Sequence, residues 1–208
     1  MHIKVDRVEG KIQLSDVEHT SRLLPYPIDI SMLLIPNQFT LDEAGVPYQV
    51  NPAGYHPTVI AQYALTHWNQ YLKTNDEYHR KVFLTQAQWL IDHKSHITED
   101  VAGWPISFPH PDVHTKGPWL SALAQANGIS VLVRAYQLTH QETFVEVAQS
   151  AVRVFERDIL DGGVCSPIGE EGIFLEEVAV YPASHMLSGL IFALFGLYDY
   201  LALTGSTQ

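Results

Sequence analysis

Cysteine is almost missing from this chain. A single residue, Cys165, stands among 208, which rules out an intrachain disulfide framework and suits a reducing compartment, so a cytoplasmic location is expected. Positive charge is scarce as well. Twelve Lys and Arg against 23 Asp and Glu give a net charge of -11, a balance that repels nucleic acid and anionic lipid, and neither is expected as a partner. Long apolar runs are lacking too. The longest uncharged apolar stretch, Met186 to Tyr198, is too short for the roughly 20 residues a membrane span needs, and Met1-His2-Ile3-Lys4 leads into no apolar signal segment. What is left, 46% hydrophobic and 17% charged, is the composition of one globular domain able to bury a sizeable core.

The chain is expected to be mainly helical. Ile3 to Val8 and Lys11 to Leu14 read as two short strands around Glu9-Gly10, and prolines, Asn37, Asn51 and Gly54 make Pro25 to Pro57 extended or looped. Residues 1–50 thus form an N-terminal arm. Beyond it, Val59, Ile60, Tyr63, Ala64, His67, Trp68 and Tyr71 recur at helical spacing, and Val82, Phe83, Ala87 and Leu90 mark a second helix. The third, about Trp119 to Leu138, and the fifth, about Ser184 to Leu203, are apolar nearly all round, which predicts burial on most sides. The fourth, about Thr143 to Arg157, carries one stripe of Phe144, Val147, Ala148, Ala151, Val154 and Phe155 with charges opposite.

Leu72-Lys-Thr74, Gln137-Leu-Thr139 and Ala202-Leu-Thr204 close three of these helices at a constant spacing of 65 residues. Tyr71 and Tyr136 keep the same register, with Leu201 in the third copy. The repeating unit is a hairpin of an inner and an outer helix, and arrays of such hairpins curve into two-layer helical toroids. An irregular helical bundle is the alternative.

The segments "GPWLSALAQANGISVLVRAYQLT" and "FLEEVAVYPASHMLSGLIFALFGLYDYLALTG", preceded by "HPTVIAQYALTHWNQYL" and "GWPISF", resemble the C-terminal catalytic region of the D-glucuronyl C5-epimerases of heparan sulfate and heparosan. The resemblance runs from about Pro47 to the end. It implies that residues 51–208 are a partial α/α toroid, that the substrate is a uronate-containing acidic polysaccharide, and that no redox cofactor takes part. It places catalytic roles on Glu176, Glu177 and Tyr181. Family members read Glu-Glu-Tyr-Pro without a break, whereas here Val178-Ala-Val180 intervenes. They also continue past the point matching Gln208 to a second catalytic tyrosine, so impaired activity is an expectation here.

The chemistry explains such a motif. Inverting C5 of a glucuronate removes a proton α to a carboxylate and returns one to the opposite face, which calls for a base, an acid and groups that stabilise the intermediate charge. Tyrosine and glutamate can fill these roles when their surroundings shift their proton affinity. Alternatively, Glu176 and Glu177 cap the entry to the fifth helix. The competing functions are a non-catalytic glycan-binding or assembly protein, and a uronate lyase in which the same carbanion expels the C4 substituent.

Substrate-binding candidates are polar or aromatic residues in apolar settings. Gln62, Tyr63 and Gln125 interrupt inner helices, where a helix-to-helix hydrogen bond is the alternative. Arg134 could hold a substrate carboxylate, or pair with an acid such as Glu156 or Asp199. Trp104 and Trp119 bracket a proline-rich loop and could stack on a sugar or pack in the core. His93-x-x-His96 and His110-x3-His114 have ligand-like spacing but no nearby third ligand, so no metal or other cofactor is expected. Finally, the fifth helix is apolar on more faces than one neighbour covers, which predicts a homodimer through that helix.

Overall fold

The computed structural model describes residues 4–8, 11–15, 24–35, 40–50, 53–115 and 117–204. Most of the described chain is helical. Strands β1 (Lys4–Val8) and β2 (Lys11–Ser15) pair antiparallel, Val8 opposite Lys11. The looped stretch from Pro25 to Pro57 contains a 3-10 turn, Ser31–Leu34, and a small meander of β3 (Thr40–Leu41), β4 (Pro47–Val50) and β5 (Ala53–Gly54). Helices α1 (Pro57–Thr74) and α2 (Glu77–Asp92) follow, then the short pair β6 (Ser95–His96) and β7 (Ala102–Gly103). Helices α3 (Ala122–Thr139) and α4 (Glu142–Val152), the hairpin β8 (Cys165–Ile168) and β9 (Gly172–Leu175), and α5 (Leu187–Thr204) complete it.

The 65-residue repeat governs the geometry. Helices α1, α3 and α5 each have 18 residues and end on Thr74, Thr139 and Thr204. Each threonine hydroxyl donates to the carbonyl four residues back, at 2.9, 2.7 and 2.6 Å. Thr74 and Thr139 also accept the N–H of Asp76 and Gln141 at 3.3 Å, so one side chain ends a helix and starts the turn out of it. Between them Asn75 and His140 take the left-handed conformation, φ 55° and 56°, which reverses the chain into the next helix. Packing follows the repeat. Helix α3 lies between α1 and α5, and α2 and α4 form a second layer against α1 and α3. Accordingly α3 is buried from Ala122 through Ala135, whereas α4 buries only Phe144, Val147, Ala148, Ala151 and Val152.

Helix ends shift where other groups claim the backbone. The fourth helix tightens to a 3-10 turn at Arg153–Glu156, because the Val154 and Arg157 carbonyls accept from Val164 and Cys165 at 3.0 Å. The third helix starts at Ala122 instead of Trp119, since Trp119 and Leu120 are extended and bonded to Ile106 and Ala179. The segment Leu24–Tyr26 crosses the inner layer. Trp68 Nε1 donates to the Leu24 carbonyl at 2.8 Å, and Asn69 clamps both backbone groups of Tyr26 at 2.7 and 3.0 Å. Tyr26 and Val46 belong to the main core with α1 to α4.

Candidate active site

The stretch Phe174 to His185 leaves β9, passes Ala122 at the start of α3 and enters α5. Its organiser is Glu176. The side chain is fully buried and its carboxylate accepts four hydrogen bonds: Ser166 Oγ at 2.5 Å, Ser184 N at 3.1 Å, Ser184 Oγ at 2.9 Å and His185 N at 2.9 Å. His185 Nε2 lies 3.4 Å from the other oxygen. The Glu176 backbone joins in, its N–H donating to the Val164 carbonyl and its carbonyl accepting from the Ala122 N–H. One residue therefore ties the β8–β9 hairpin, the start of α3 and the approach to α5 together. The fifth helix starts at Leu187 rather than Ser184 because His185 takes the left-handed conformation, φ 49°, which interrupts a right-handed helix.

Glu177 differs. It is half-buried and accepts a short hydrogen bond from Ser188 Oγ in the first turn of α5. Gly189 makes that approach possible, because a Cβ there would stand 2.5 Å from the Glu177 backbone nitrogen. Val178 is buried, and Tyr181 is 78% exposed. Tyr181 projects at a cleft of about 670 Å³ lined by Asp112, Val113, His114, Trp119, Val180 and Ser184, among others. Trp119 is anchored there by its indole N–H, which donates to the Phe108 carbonyl at 2.8 Å.

Of the residues singled out from sequence, Tyr181 and Trp119 line this cleft, and Glu177 and Glu176 lie on the segment behind it. The others are elsewhere. Trp104 is 1% exposed, its indole donates to the Leu90 carbonyl at 2.8 Å, and its ring fills the space over Gly128, where a Cβ would meet it at 2.6 Å. Gln125 grips the Trp104 backbone from both sides, at 3.3 and 3.2 Å. Both therefore act as core supports. Gln62 is half-buried on α1, and Tyr63 is buried beside His67, with burial pushing its phenol pKa up. Arg134 meets Asp199 of α5 in a buried bidentate pair, at 2.5 and 3.0 Å, and also donates to the Leu24 and Pro25 carbonyls.

The other basic residues do not converge on the cleft. Arg80 pairs with Glu77, and Arg153 and Arg157 both pair with Asp100. Lys73 lines a different groove, of about 610 Å³, between Pro25–Ser31 and α1. Arg22 and Lys116 lie outside the described residues. No group of three or more potential metal ligands occurs among the described residues, and no helix there is long and apolar enough to cross a membrane. Sequence reasoning missed Ser166, Ser184 and Ser188, which hold the two glutamates, and weighed His114 only as half of a metal-ligand pair with His110. Ser184 and His185 adjoin the motif, but a serine gives no sign of which carboxylate it will bond.

Two layers of helical hairpins, with a Glu-Glu segment delivered to a cleft at the start of the last inner helix, define a class on which the comparison agrees. The family model for the D-glucuronyl C5-epimerase C-terminus matches residues 98–208, and the chain belongs to that family. A D-glucuronyl C5-epimerase of Caenorhabditis elegans is 33% identical over 127 residues, covering 59% of this chain and 20% of the relative. The chain therefore spans a fifth of that relative's length. Helices α1 and α2 precede the region matched by the family model.

Proposed function

We propose that this protein, a member of the D-glucuronyl C5-epimerase C-terminal family, acts on D-glucuronate residues of an acidic polysaccharide and moves the C5 proton through Tyr181. The observation that carries this reading is a tyrosine 78% exposed on a cleft of about 670 Å³, on a segment fixed from behind by the Glu176 carboxylate. A flexible chain would lose most of the advantage of placing a base against a C–H bond, and the four hydrogen bonds to Glu176 supply that placement. The substrate's own carboxylate accepts the electrons released from C5. Trp119, on the cleft floor, offers an aromatic face to a sugar ring.

The same proposal takes the two-layer array as a segment of an α/α toroid, with residues 1–50 an arm beside it. It gives the chain a cytoplasmic home on account of its single buried thiol, and a second copy docked on the open face of α5. A second reading is glycan binding without turnover, and one observation favours it: Arg134 is committed to Asp199, so it does not offset the charge that C5 deprotonation puts on a uronate carboxylate.

The test is incubation with a glucuronate-containing polysaccharide in deuterated water. Deuterium should enter C5, and Tyr181→Phe should abolish its entry without changing the fold. Binding without exchange selects the glycan-binding reading, and a rise in ultraviolet absorbance from an unsaturated uronate selects a lyase.

A further inference from the structure

The aromatic floor of the cleft depends on Phe108. Trp119 exchanges both main-chain hydrogen bonds with Ile106, at 2.8 and 3.1 Å, and its indole N–H donates to the Phe108 carbonyl at 2.8 Å. The first pair fixes the strand and the last bond fixes the ring, since an indole tethered at Nε1 cannot turn about its side-chain torsions without losing that bond. The angle of the Trp119 face is therefore set by where Phe108 lies. Ile106, Trp119, Ala124 and Val178 form a small apolar cluster, and Phe108 packs against it together with Val113 of its own loop and Val180 of the Tyr181 segment. A shift of Phe108 is thus felt on both sides of the cleft.

A distant part of the chain seats this phenylalanine. Its ring is stacked on the His56 imidazole, with centroids 5.7 Å apart and planes within 6° of parallel. Gly54, at φ 152°, comes so near that a Cβ there would stand 3.0 Å from Phe108 Cζ. Gly54 ends β5, and His56 immediately precedes α1. The root of the imidazole is rigid, because the His56 carbonyl accepts the Ile60 N–H at 3.1 Å and the buried Pro57 opens the helix. The side chain itself makes no capping hydrogen bond, and its buried Nδ1 has no hydrogen-bond partner among the described residues. A polar atom so placed costs stability, and burial lowers the pKa of the ring, which meets Phe108 uncharged. Neither capping nor a polar contact at Nδ1 accounts for this histidine; stacking does.

We propose that His56 is a positioning residue of the cleft: together with Gly54 it seats the Phe108 ring, and through the Phe108 carbonyl it holds Trp119 at the angle a sugar ring meets. The inference deepens the reading above and rests on it, since it takes Trp119 as the sugar platform. The join between β5 and α1 thereby belongs to the site, although neither Gly54 nor His56 is among the residues lining the cleft.

Hydrogen exchange at the Trp119 indole N–H, read by NMR and assigned with Trp119→Phe, tests the seat in the protein alone. His56→Ala should speed that exchange by roughly 2- to 10-fold, the range that one stacked aromatic pair contributes. The Trp68 and Trp104 indoles, bonded to the Leu24 and Leu90 carbonyls, should keep their rates. His56→Phe leaves a ring over Phe108 and should restore the parent behaviour. Affinity for a glucuronate-containing polysaccharide should follow the same order, weakened in the alanine variant and recovered in the phenylalanine one. If His56→Ala does not fold, Phe108→Leu removes the same stack from its other side and should give the same signature. An unmoved Trp119 indole, equal acceleration of all three indoles, no recovery with His56→Phe, or an affinity indifferent to the exchange rate would each overturn the proposal. A parent that binds no such polysaccharide ends the sugar-platform reading and the role given to His56 with it, whereas a binding parent with an unmoved indole ends this inference alone.

Discussion

Ser184 donates twice to one oxygen of Glu176, through its backbone N–H at 3.1 Å and its hydroxyl at 2.9 Å. The carboxylate is thus an anchor for the Tyr181 loop. Glu176→Gln replaces one acceptor oxygen by a donor facing donors, and should lower unfolding stability by about 1–3 kcal/mol while disturbing Tyr181 at a distance. Glu177→Gln keeps an acceptor for Ser188, and should stay within about 0.5 kcal/mol of the parent while C5 exchange falls. Urea unfolding paired with exchange rates separates the two. Equal stability losses would show that Glu177 is an anchor as well.

Asp199→Asn should be far more damaging than its surface charge count suggests. It leaves the Arg134 guanidinium buried without a counter-charge, a change that costs about 3–5 kcal/mol. Arg153→Met, which breaks a half-exposed pair with Asp100, should cost about 1 kcal/mol or less. Urea midpoints of the two variants make the comparison.

His67 predicts an acid-side loss of stability. It is 2% exposed, its Nδ1 lies 2.8 Å from His79 Nδ1, and its Nε2 has no hydrogen-bond partner among the described residues. Burial, and then the neighbouring His79, pull its pKa from 6.5 down to about 4. The unfolded chain takes up a proton near pH 6.5 that the folded chain refuses until about pH 4, so the stabilisation is complete above the first value and lost as pH falls toward the second. It amounts to about 3 kcal/mol. His67→Phe should flatten the slope of urea stability against pH in that window; an unchanged slope would assign the acid sensitivity to other groups.

Leu187, Ile191 and Leu194 are 61%, 43% and 56% exposed along one side of α5. The equivalent residues on α3, 65 positions earlier, include Ala126, which packs against Gly196 of α5; the open stripe is thus the face by which each inner helix receives the next. Covering it with a second copy gives a dimer in light scattering at micromolar concentration, and Leu194→Glu should yield a folded monomer. A parent that stays monomeric rules out the dimer.

Helix count, order and the 65-residue repeat were legible in the sequence because threonine spacing and apolar periodicity are local properties. The Arg134–Asp199 pair was legible as an option beside Glu156 and a substrate carboxylate, because an arginine in an apolar helix needs an anion but its sequence does not say which. The β8–β9 hairpin was not. Cys165-Ser-Pro-Ile and Gly172-Ile-Phe-Leu lack the alternation of a half-buried strand, and their pairing serves to bring Ser166 to Glu176. Nor could sequence show that Gln125 would be consumed by the Trp104 backbone, since a glutamine that grips a peptide and one that grips a sugar look alike until the chain is folded.

Arg134 collects its partners from both directions of the chain, the Leu24 and Pro25 carbonyls from before it and Asp199 from after it. During synthesis at about 5–20 residues per second, the wait between making the arginine and making its carboxylate is roughly 3–13 s. Through that interval the first two hairpins can dock while a guanidinium at their centre lacks its anion. Until α5 emerges the buried guanidinium is open to a substitute acid, and the docking of α5 on α3 is timed by the emergence of a single aspartate.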